Sequence, residues 1–254
     1  MEHSRQLQAA LDAAGEAAAI ARSLYQQNIE VRLKADKSPV TEADIRCETA
    51  IRAVLEARFP DYGFFGEETA VRSVDADNVW LVDPIDGTKA FVREYPMFST
   101  QIALMRRGEI VLGVSSAPVY GEVAYAERGC GAYLNGRLLA VSQTAEVESA
   151  ALSAGNLKSL AGSAQWGRYG ELVTRVGRIR GYGDFLHYHL LASGKIDAVI
   201  ESDVSILDIA ACAAIVSEAG GCFTELGGAP ITLQSTSVLA TNGRLHTAVL
   251  AALE

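Results

Sequence analysis

One short stretch near the first third of the chain most constrains how it folds: residues 79–91 read VWLVDPIDGTKAF. The first four residues are apolar strand formers, so they predict a buried strand. Pro84 has no N–H to donate and therefore predicts the end of the strand ladder. Gly87 then allows the backbone to turn sharply. Asp83 and Asp86 fall at this strand end, and we expect both side chains to point into one small volume.

Buried carboxylates are costly unless a positive group meets them. Asp83, Asp86 and the carbonyl of Ile85 between them are hard oxygen ligands, which suit Mg²⁺. Acids also lie at two other predicted element boundaries, Glu67 in GEE and Asp208 at the start of DIAACAAIVSEAGG. If these acids reach the same volume, each like-charge pair at about 4 Å costs about 4 kcal/mol at an effective dielectric of about 20. Such a cluster would take up protons or recruit divalent cations.

Purely structural interpretations remain open for each of these stretches. Asp-Pro and Asp-Gly are common turn dipeptides, and paired glutamates usually lie on a solvated surface. Asp208 could cap its helix through a capping box with Ser205, and Asp44 could do the same after Thr41. The hypothesis of a metal site therefore depends on the order and context of the stretches taken together.

Composition and charge exclude several classes of function. The net charge of −9 argues against nucleic-acid binding, and it would repel a phosphorylated substrate unless cations intervene. Four cysteines without paired spacing argue against a disulfide framework and a structural zinc site. The first 25 residues have mixed charges and helical periodicity, unlike a signal peptide. No apolar run reaches the roughly 18 residues of a membrane span. These features predict a cytoplasmic protein that binds neither nucleic acid nor membrane.

Hydrophobic periodicity predicts an α+β pattern followed by an α/β pattern, with a soft boundary near residue 137. Helices are predicted at 4–27, 42–59, 165–177, 184–193, 208–219 and the C-terminus. Strands are predicted at 79–83, 99–106, 109–116, 122–126, 196–201, 231–234 and 237–241. We expect two subdomains, 1–137 and 138–254, that share an extensive interface because no Pro- or Ser-rich tether separates them.

Four stretches taken together resemble the inositol monophosphatase-like family of magnesium-dependent phosphatases. They are KADKSPVTEAD (34–44), GEE (66–68), WLVDPIDGTKAF (80–91) and LDIAACAAIVSEAGG (207–221), and they occur in the family's order and spacing. The resemblance implies a layered αβαβα sandwich and two or three Mg²⁺ ions per active site. It also implies a small phosphorylated metabolite as substrate, hydrolysis by a metal-activated water, and a homodimer.

The resemblance also implies roles for individual residues. The metal ligands would be Glu67, Asp83, the Ile85 carbonyl, Asp86 and Asp208. Glu67 would help to hold the ion that activates water, and Asp44 and Thr88 match the family's pair near that water. The backbone N–H groups of Gly87 and Thr88 match its phosphate cradle. Leu207 departs from the family, which usually has tryptophan there; Asp208 itself is retained, so the departure bears on the shape of the pocket wall and not on metal binding.

Within the family, DPIDGTKAFV, YPMFSTQIAL and GYGDF are most similar to the histidinol-phosphate phosphatases. Inositol monophosphatases more usually carry Thr-Asn where this chain has Lys89-Ala90. Histidinol phosphate has an amine and an imidazole, both cationic or nearly so near neutral pH. Its site should therefore offer carboxylates outside the metal cluster.

Asp184 and Glu201 match the family's substrate-contacting positions, so they are the candidates for substrate binding. Asp184 could instead be a helix N-cap, and Glu201 could be a surface acid at a strand end. Two other functions also remain open. One is an inositol monophosphatase or broad sugar-phosphate phosphatase, and the other is a non-catalytic metal-binding protein.

Two further features lead to expectations about structure and motion. His187 and His189 are two residues apart, so they cannot share one helix face, and we expect structural roles for both. The polar segment 30–40 contains Lys34 and Asp36. It is predicted to be a mobile flap that closes on the active site.

Overall fold

A computed structural model of the chain describes residues 3–27, 30–33, 39–68 and 72–254. The helices within these residues are α1 Arg5–Leu24, α2 Glu42–Arg58, α3 Thr88–Val92, α4 Lys158–Ala161, α5 Trp166–Arg175, α6 Asp184–Ala192, α7 Ile206–Glu218 and α8 His246–Leu253. The strands are β1 Val31–Leu33, β2 Pro39–Thr41, β3 Gly63–Gly66, β4 Asn78–Asp86, β5 Ser99–Arg106, β6 Glu109–Ala117, β7 Glu122–Glu127, β8 Gly131–Leu134, β9 Arg137–Leu138, β10 Ala151–Gly155, β11 Arg178–Arg180, β12 Ala198–Ser202, β13 Cys222–Thr224 and β14 Ser237–Thr241. None of these helices combines the length and apolar character that crossing a membrane requires.

The strands form two large sheets and one small one. The seven-stranded sheet has the order β3-β4-β5-β6-β7-β8-β9 and is antiparallel apart from the parallel pair β3–β4. The five-stranded sheet has the order β11-β10-β12-β14-β13 and is mixed. β1 and β2 pair separately as an antiparallel two-stranded sheet. Lys34 and Asp36 of the predicted flap lie outside the described residues, so the flap stays a prediction.

Helices and sheets alternate in five layers. α1 and α2 pack on one face of the seven-stranded sheet. α6 and α7 lie between the two sheets, and α4, α5 and α8 pack on the outer face of the five-stranded sheet. This arrangement is the αβαβα sandwich that the resemblance implies, and the predicted fold class is confirmed.

The alternation of side chains along β4 sets the direction of Asp83. Trp80 and Val82 pack in the cluster with α1 and α2, whereas Val79 and Leu81 pack in the cluster with α7. Because successive strand residues point to opposite faces, Asp83 continues the face that meets α7. An acid at the end of an apolar strand is thereby directed between the two sheets.

β4 ends later than the sequence predicts. Pro84 predicts the end of the ladder, but β4 continues to Asp86, where it pairs with Ser99 of β5. The register shifts between Asp83 and Asp86, and Pro84 lies in this irregular segment. A proline is tolerated there because a bulge leaves a residue without a ladder partner. The hydroxyl of Thr100 donates to the Pro84 carbonyl at 2.9 Å.

The strand predicted at 231–234 is wrong. The Thr232 N–H donates to the Ser235 hydroxyl at 2.8 Å, and the Gln234 N–H donates to the Thr232 hydroxyl at 3.2 Å. The two hydroxyls accept hydrogen bonds from backbone N–H groups and so form a local turn in place of a strand ladder. The other predicted helices and strands are present, with ends that differ by up to a few residues. The strands β1, β2, β8, β9, β10, β11 and β13 and the short helix α4 were not predicted.

The two large sheets are joined through α7. The seven-stranded sheet ends at Leu138, and the five-stranded sheet begins at Ala151. α7 follows β12 of the second sheet in the chain but packs against β4, β5, β6 and β7 of the first. The division into subdomains near residue 137 therefore stays a prediction, since a shared core spans it.

Candidate active site

A cavity of about 300 Å³ opens between the end of β4 and the first turns of α3, α6 and α7. Several predicted site residues line it: Glu67, Asp83, Ile85, Asp86, Gly87, Thr88, Asp184 and Asp208. Lys89 is the one cationic side chain among the described residues of this lining. The wall is therefore strongly acidic, in keeping with a site that takes up cations.

Three aspartates form the centre of this cavity. One carboxylate oxygen from each of Asp83, Asp86 and Asp208 lies within 4.8 Å of the other two. Asp83 and Asp86 stand at the end of β4, and Asp208 stands in the first turn of α7. The structure thus brings together acids that are more than 120 residues apart in the chain.

Local hydrogen bonds hold each of the three carboxylates. The Ile85 N–H donates to Asp83 Oδ1 at 3.0 Å, and the Ser99 hydroxyl donates to Asp86 Oδ2 at 3.2 Å. The Ser205 N–H donates to Asp208 Oδ2 at 2.7 Å within a capping box. The structural interpretation of Asp208 as a cap is therefore correct, and the same residue also faces the acidic cluster.

The pKa values of these carboxyl groups are shifted upward. Burial raises the pKa of Asp83 well above its ordinary value, and the charges of Glu67 and Asp86 raise it further. Burial is also the main reason that the pKa of Asp86 is well above its ordinary value. The pKa of Asp208 is raised by burial, although hydrogen bonds from Ser205 partly oppose this shift. A cluster of this kind binds protons when no other cation is present.

The donor set fits Mg²⁺. The groups available are carboxylate oxygens and the carbonyl of Ile85, which are the hard oxygen ligands that Mg²⁺ prefers. No described histidine or cysteine lines the cavity, so the imidazole and thiolate ligands typical of zinc and copper sites are missing from this part of the wall. Glu67 is exposed on the same wall, and its charge acts on both Asp83 and Asp208.

Thr88 lines the cavity and forms a hydrogen-bonded pair with Asp44, which lies behind the cavity wall. The Thr88 hydroxyl lies 3.0 Å from Asp44 Oδ1 and 3.1 Å from the Ile85 carbonyl. Asp44 is fully buried, and its Oδ2 accepts the Thr41 N–H at 2.8 Å and the Thr41 hydroxyl at 2.6 Å. Burial raises the pKa of Asp44, and the bonds from Thr41 and Thr88 oppose that shift. The capping box predicted for Thr41 and Asp44 is present.

Gly87 is required by the turn that joins β4 to α3. Its φ is +87°, in the left-handed region that side chains other than glycine rarely adopt. A Cβ at this position would lie 2.5 Å from the Met97 carbonyl oxygen. The N–H groups of Gly87 and Thr88 precede the first hydrogen-bonded turn of α3, so they have no acceptor within the helix.

The two predicted substrate-binding acids lie in different surroundings. Asp184 opens α6, lines the cavity, and has its pKa raised to about 6, chiefly by burial and next by the charge of Glu201. Glu201 is 2% exposed and is absent from the described residues of the cavity wall. It accepts a hydrogen bond from the Tyr188 hydroxyl at 2.6 Å and lies 3.0 Å from His187 Nε2. The structure therefore brings Asp184 to the cavity and leaves Glu201 behind it.

α6 directs its two histidines to opposite sheets. His187 contacts Glu201 of β12, whereas His189 Nε2 lies 2.9 Å from Ser115 Oγ of β6, and its Nδ1 lies 2.9 Å from Glu122 Oε2. The prediction that these histidines do not share a helix face is confirmed. Both are buried side chains with hydrogen-bond partners, as structural roles require.

Sequence reasoning missed Glu48, a fully buried glutamate on α2. It lies four residues after Asp44, so the two side chains share one helix face. One of its carboxylate oxygens accepts the N–H of Glu68, next to Glu67. An acid four residues after a predicted site acid, between the apolar positions Cys47 and Ile51, was the signal that could have revealed it.

Comparison with known proteins agrees with this geometry. The sequence profile of the inositol monophosphatase family matches residues 2–254. The chain is 40% identical to a histidinol-phosphatase of Mycobacterium tuberculosis over 89% of this chain and 88% of that protein. It is 35% identical to an inositol-1-monophosphatase of Mesorhizobium japonicum over 90% and 87% of the two chains. The solved structure of the extragenic suppressor protein suhB from Bartonella henselae superposes with a TM-score of 0.90 at 30% identity, covering 99% of both chains.

Proposed function

Since the chain belongs to the inositol monophosphatase family, we propose that it is a Mg²⁺-dependent phosphatase that hydrolyses L-histidinol phosphate to L-histidinol and phosphate. The observation that carries the phosphatase proposal is the convergence of Asp83, Asp86 and Asp208 in a cavity that Thr88 also lines. The substrate is supported by relatives named histidinol-phosphatase, which are 34–40% identical to this chain.

Mg²⁺ would be held by the carboxylates of Glu67, Asp83, Asp86 and Asp208 and by the Ile85 carbonyl, with two or three ions per site. When bound, Mg²⁺ offsets the mutual repulsion of these acids, neutralises phosphate oxygens and makes water more acidic. The raised pKa values of Asp83, Asp86 and Asp208 support this role, because groups that repel one another gain most from a shared cation.

Thr88 and Asp44 orient the attacking water. Asp44 Oδ2 already accepts two hydrogen bonds from Thr41, so the carboxylate acts as an acceptor. The Thr88 hydroxyl donates toward Asp44 Oδ1, 3.0 Å away, and the Ile85 carbonyl, 3.1 Å away. This leaves a lone pair of Thr88 Oγ1 directed away from Asp44. A water at the cavity wall can donate a hydrogen bond to that lone pair, which orients the water oxygen toward phosphorus.

The turn at Gly87 supplies donors for the phosphate. Its left-handed conformation starts α3 at the cavity wall, so the N–H groups of Gly87 and Thr88 precede the first helical turn without an acceptor in the helix. Backbone donors in this position bind anionic oxygens. Lys89, the next residue, adds a positive charge at the same wall.

Asp184 selects the cationic end of the substrate. It is a cavity acid outside the three-aspartate cluster, and in its ionised form it can accept hydrogen bonds from an amine or imidazolium. Glu201 adds negative charge from behind, since it acts electrostatically on Asp184. Tyr188 and His187 hold Glu201 in place.

A substrate panel tests this function. Phosphate release is measured with histidinol phosphate, inositol 1-phosphate, fructose 1,6-bisphosphate and adenosine 3′,5′-bisphosphate, each with and without Mg²⁺. We expect Mg²⁺-dependent release and the highest kcat/KM for histidinol phosphate. Absence of release under every condition would contradict the enzyme function and favour a non-catalytic metal-binding protein.

The variant Asp184→Asn separates the role of Asp184 from general damage to the site. It should raise KM for histidinol phosphate much more than KM for inositol 1-phosphate, because only the first substrate carries cationic groups. Asp203→Asn is the matched control, since Asp203 is an exposed acid that bonds Ser159. Equal effects of Asp184→Asn on both substrates would refute this role.

A second candidate is an inositol monophosphatase or a broad sugar-phosphate phosphatase. It is favoured by relatives that are named inositol-1-monophosphatase at 33–35% identity. The same panel distinguishes it, because it predicts a higher kcat/KM for inositol 1-phosphate or similar rates for several esters. The proposed enzyme is a cytoplasmic homodimer that acts in histidine biosynthesis.

A further inference from the structure

The buried glutamate Glu48 has one hydrogen-bonded carboxylate oxygen and one without a hydrogen bond within the described part of the chain. It has no exposed surface, and its Oε2 accepts the N–H of Glu68 at 2.8 Å. Its Oε1 is also buried and has no hydrogen-bond partner within the described part of the chain. Most buried polar atoms in folded proteins are paired, so an unpaired carboxylate oxygen requires a reason beyond packing.

The segment after β3 lies directly on this carboxylate. A Cβ placed on Gly66 would come within 2.6 Å of the Glu48 carboxyl carbon and Oε2, and within 2.7 Å of Oε1. The segment can approach so closely only because residue 66 is a glycine. Glu48 therefore contacts the backbone at residues 66 and 68, on both sides of Glu67.

The side chain of Glu67 is exposed. The backbone that carries an exposed side chain helps to set the direction in which that side chain points. Glu67 lines the cavity together with Asp83 and Asp208, and its charge raises the pKa of both.

We propose that Glu48 is a positioning residue that holds the backbone of residues 66–68 and thereby keeps Glu67 directed at the metal site. This inference rests on the proposed function, in which Glu67 is a metal ligand. α2 would then support the site twice from one face, through the bond between Asp44 and Thr88 at one turn and through the bond between Glu48 and the Glu68 N–H at the next.

Calorimetric titration with Mg²⁺ alone tests this role without any substrate. Glu48→Ala removes the acceptor for the Glu68 N–H and should weaken Mg²⁺ binding about 10–100-fold, the usual effect of removing a group that orients a metal ligand. Glu48→Gln keeps an oxygen acceptor for that N–H, so its affinity should stay close to that of the wild type.

The control must lose a buried carboxylate elsewhere. Asp197 is 6% exposed and accepts the Ala151 N–H at 2.7 Å in the five-stranded sheet. Asp197→Ala should lower Tm as Glu48→Ala does while leaving Mg²⁺ affinity unchanged. Equal loss of affinity in both variants would attribute the effect to general destabilisation and would overturn the proposal.

Each remaining outcome also decides the matter. If Glu48→Ala binds Mg²⁺ as tightly as the wild type, Glu48 does not position Glu67. If Glu48→Gln binds as weakly as Glu48→Ala, the charge of Glu48 matters rather than its bond to the backbone, and the positioning role is refuted. If the wild type binds no Mg²⁺, the proposed function fails and this inference fails with it.

Gly66→Ala covers the case in which Glu48→Ala does not fold. The added methyl group displaces the segment from an intact Glu48, so Mg²⁺ binding should weaken while circular dichroism still reports a folded protein. A folded Gly66→Ala protein with wild-type affinity for Mg²⁺ would overturn the proposal.

Discussion

Replacing Asp86 with asparagine should stabilise the metal-free protein and abolish its stabilisation by Mg²⁺. Asparagine has nearly the same shape, and its side-chain oxygen can still accept the Ser99 hydroxyl that Asp86 Oδ2 accepts at 3.2 Å. The substitution therefore keeps the packing but removes one of three charges whose oxygens lie within 4.8 Å of one another. The variant therefore tests the effect of the charge of Asp86 separately from the effect of its shape.

The size of the effect follows from the geometry of the cluster. At 4.8 Å, the upper limit of the separation between these oxygens, and an effective dielectric of about 20, each like-charge pair costs about 3.5 kcal/mol. Asp86 has two neighbours within this limit, Asp83 and Asp208, and the charges of Asp184 and Glu201 also act on it, but proton uptake limits the total. Protonating an aspartate of ordinary pKa at pH 7 costs about 4 kcal/mol. With partial relaxation of the side chains, we expect a gain of about 1–3 kcal/mol, which corresponds to about 2–12 °C in Tm.

Thermal unfolding followed by circular dichroism, in EDTA and in excess Mg²⁺, measures both effects. In the wild type, Mg²⁺ at about 100 times its Kd should add about 2.7 kcal/mol to the free energy of unfolding. Asp86→Asn should have a higher Tm than the wild type in EDTA and little further gain with Mg²⁺. Asp77→Asn is the control, because Asp77 is an exposed acid paired with Arg107 and should change neither value. An Asp86→Asn protein that is less stable in EDTA, or that gains as much from Mg²⁺ as the wild type, would refute the reasoning.

Three further substitutions have expected outcomes. The pKa of Asp184 is raised to about 6, so its contribution to metal-free stability is present below pH about 4 and is lost as the pH rises to about 6. The Tm of Asp184→Asn in EDTA should therefore rise relative to the wild type across that window, and a constant difference would contradict the shift. Thr88→Val should lower kcat about 10²–10⁴-fold at saturating Mg²⁺ with little change in KM. A Thr88→Val protein with wild-type kcat, or a Thr88→Ser protein that loses as much kcat as Thr88→Val, would exclude the hydroxyl from catalysis. Gly87→Ala should lower both Tm and phosphate affinity, because its Cβ would lie 2.5 Å from the Met97 carbonyl oxygen. Gly129→Ala is the control, since Gly129 has a φ of +76° and open space around it. Equal losses in the two variants would show that backbone strain alone is responsible.

Features set by nearby residues could be predicted from the sequence. The capping boxes at Thr41–Asp44 and Ser205–Asp208 are present because the interacting groups are three residues apart. The face of Asp83 follows from the two-residue period of the apolar strand before it. These local rules explain why most helices and the central strands were predicted.

Features that depend on distant partners could not be predicted in the same way. Glu201 lies behind the cavity wall, where it contacts Tyr188 and His187 of a separate helix. The role of Glu48 depends on the Glu68 N–H, 20 residues along the chain. The periodicity of the sequence does not predict such pairings, because each depends on how the helices and sheets pack against one another.

The prediction at 231–234 failed for a local reason. Apolar periodicity favoured a strand, but the hydroxyl groups of Thr232 and Ser235 satisfy backbone donors within the segment. Side chains of this kind offer the backbone an alternative to a ladder, and hydrophobic pattern alone does not include that competition. The strands that were not predicted have only two to five residues each, too few for a clear period.

The central claim is that Asp83, Asp86 and Asp208 share bound cations. Diffraction from crystals soaked in Mn²⁺ tests it most directly, because Mn²⁺ takes the same oxygen ligands as Mg²⁺ and is identified by its anomalous signal. We expect an anomalous peak within coordination distance of all three carboxylates, with Glu67 directed toward the same site. Crystals with full access to Mn²⁺ that show no peak there, and three carboxylates turned apart, would contradict the claim.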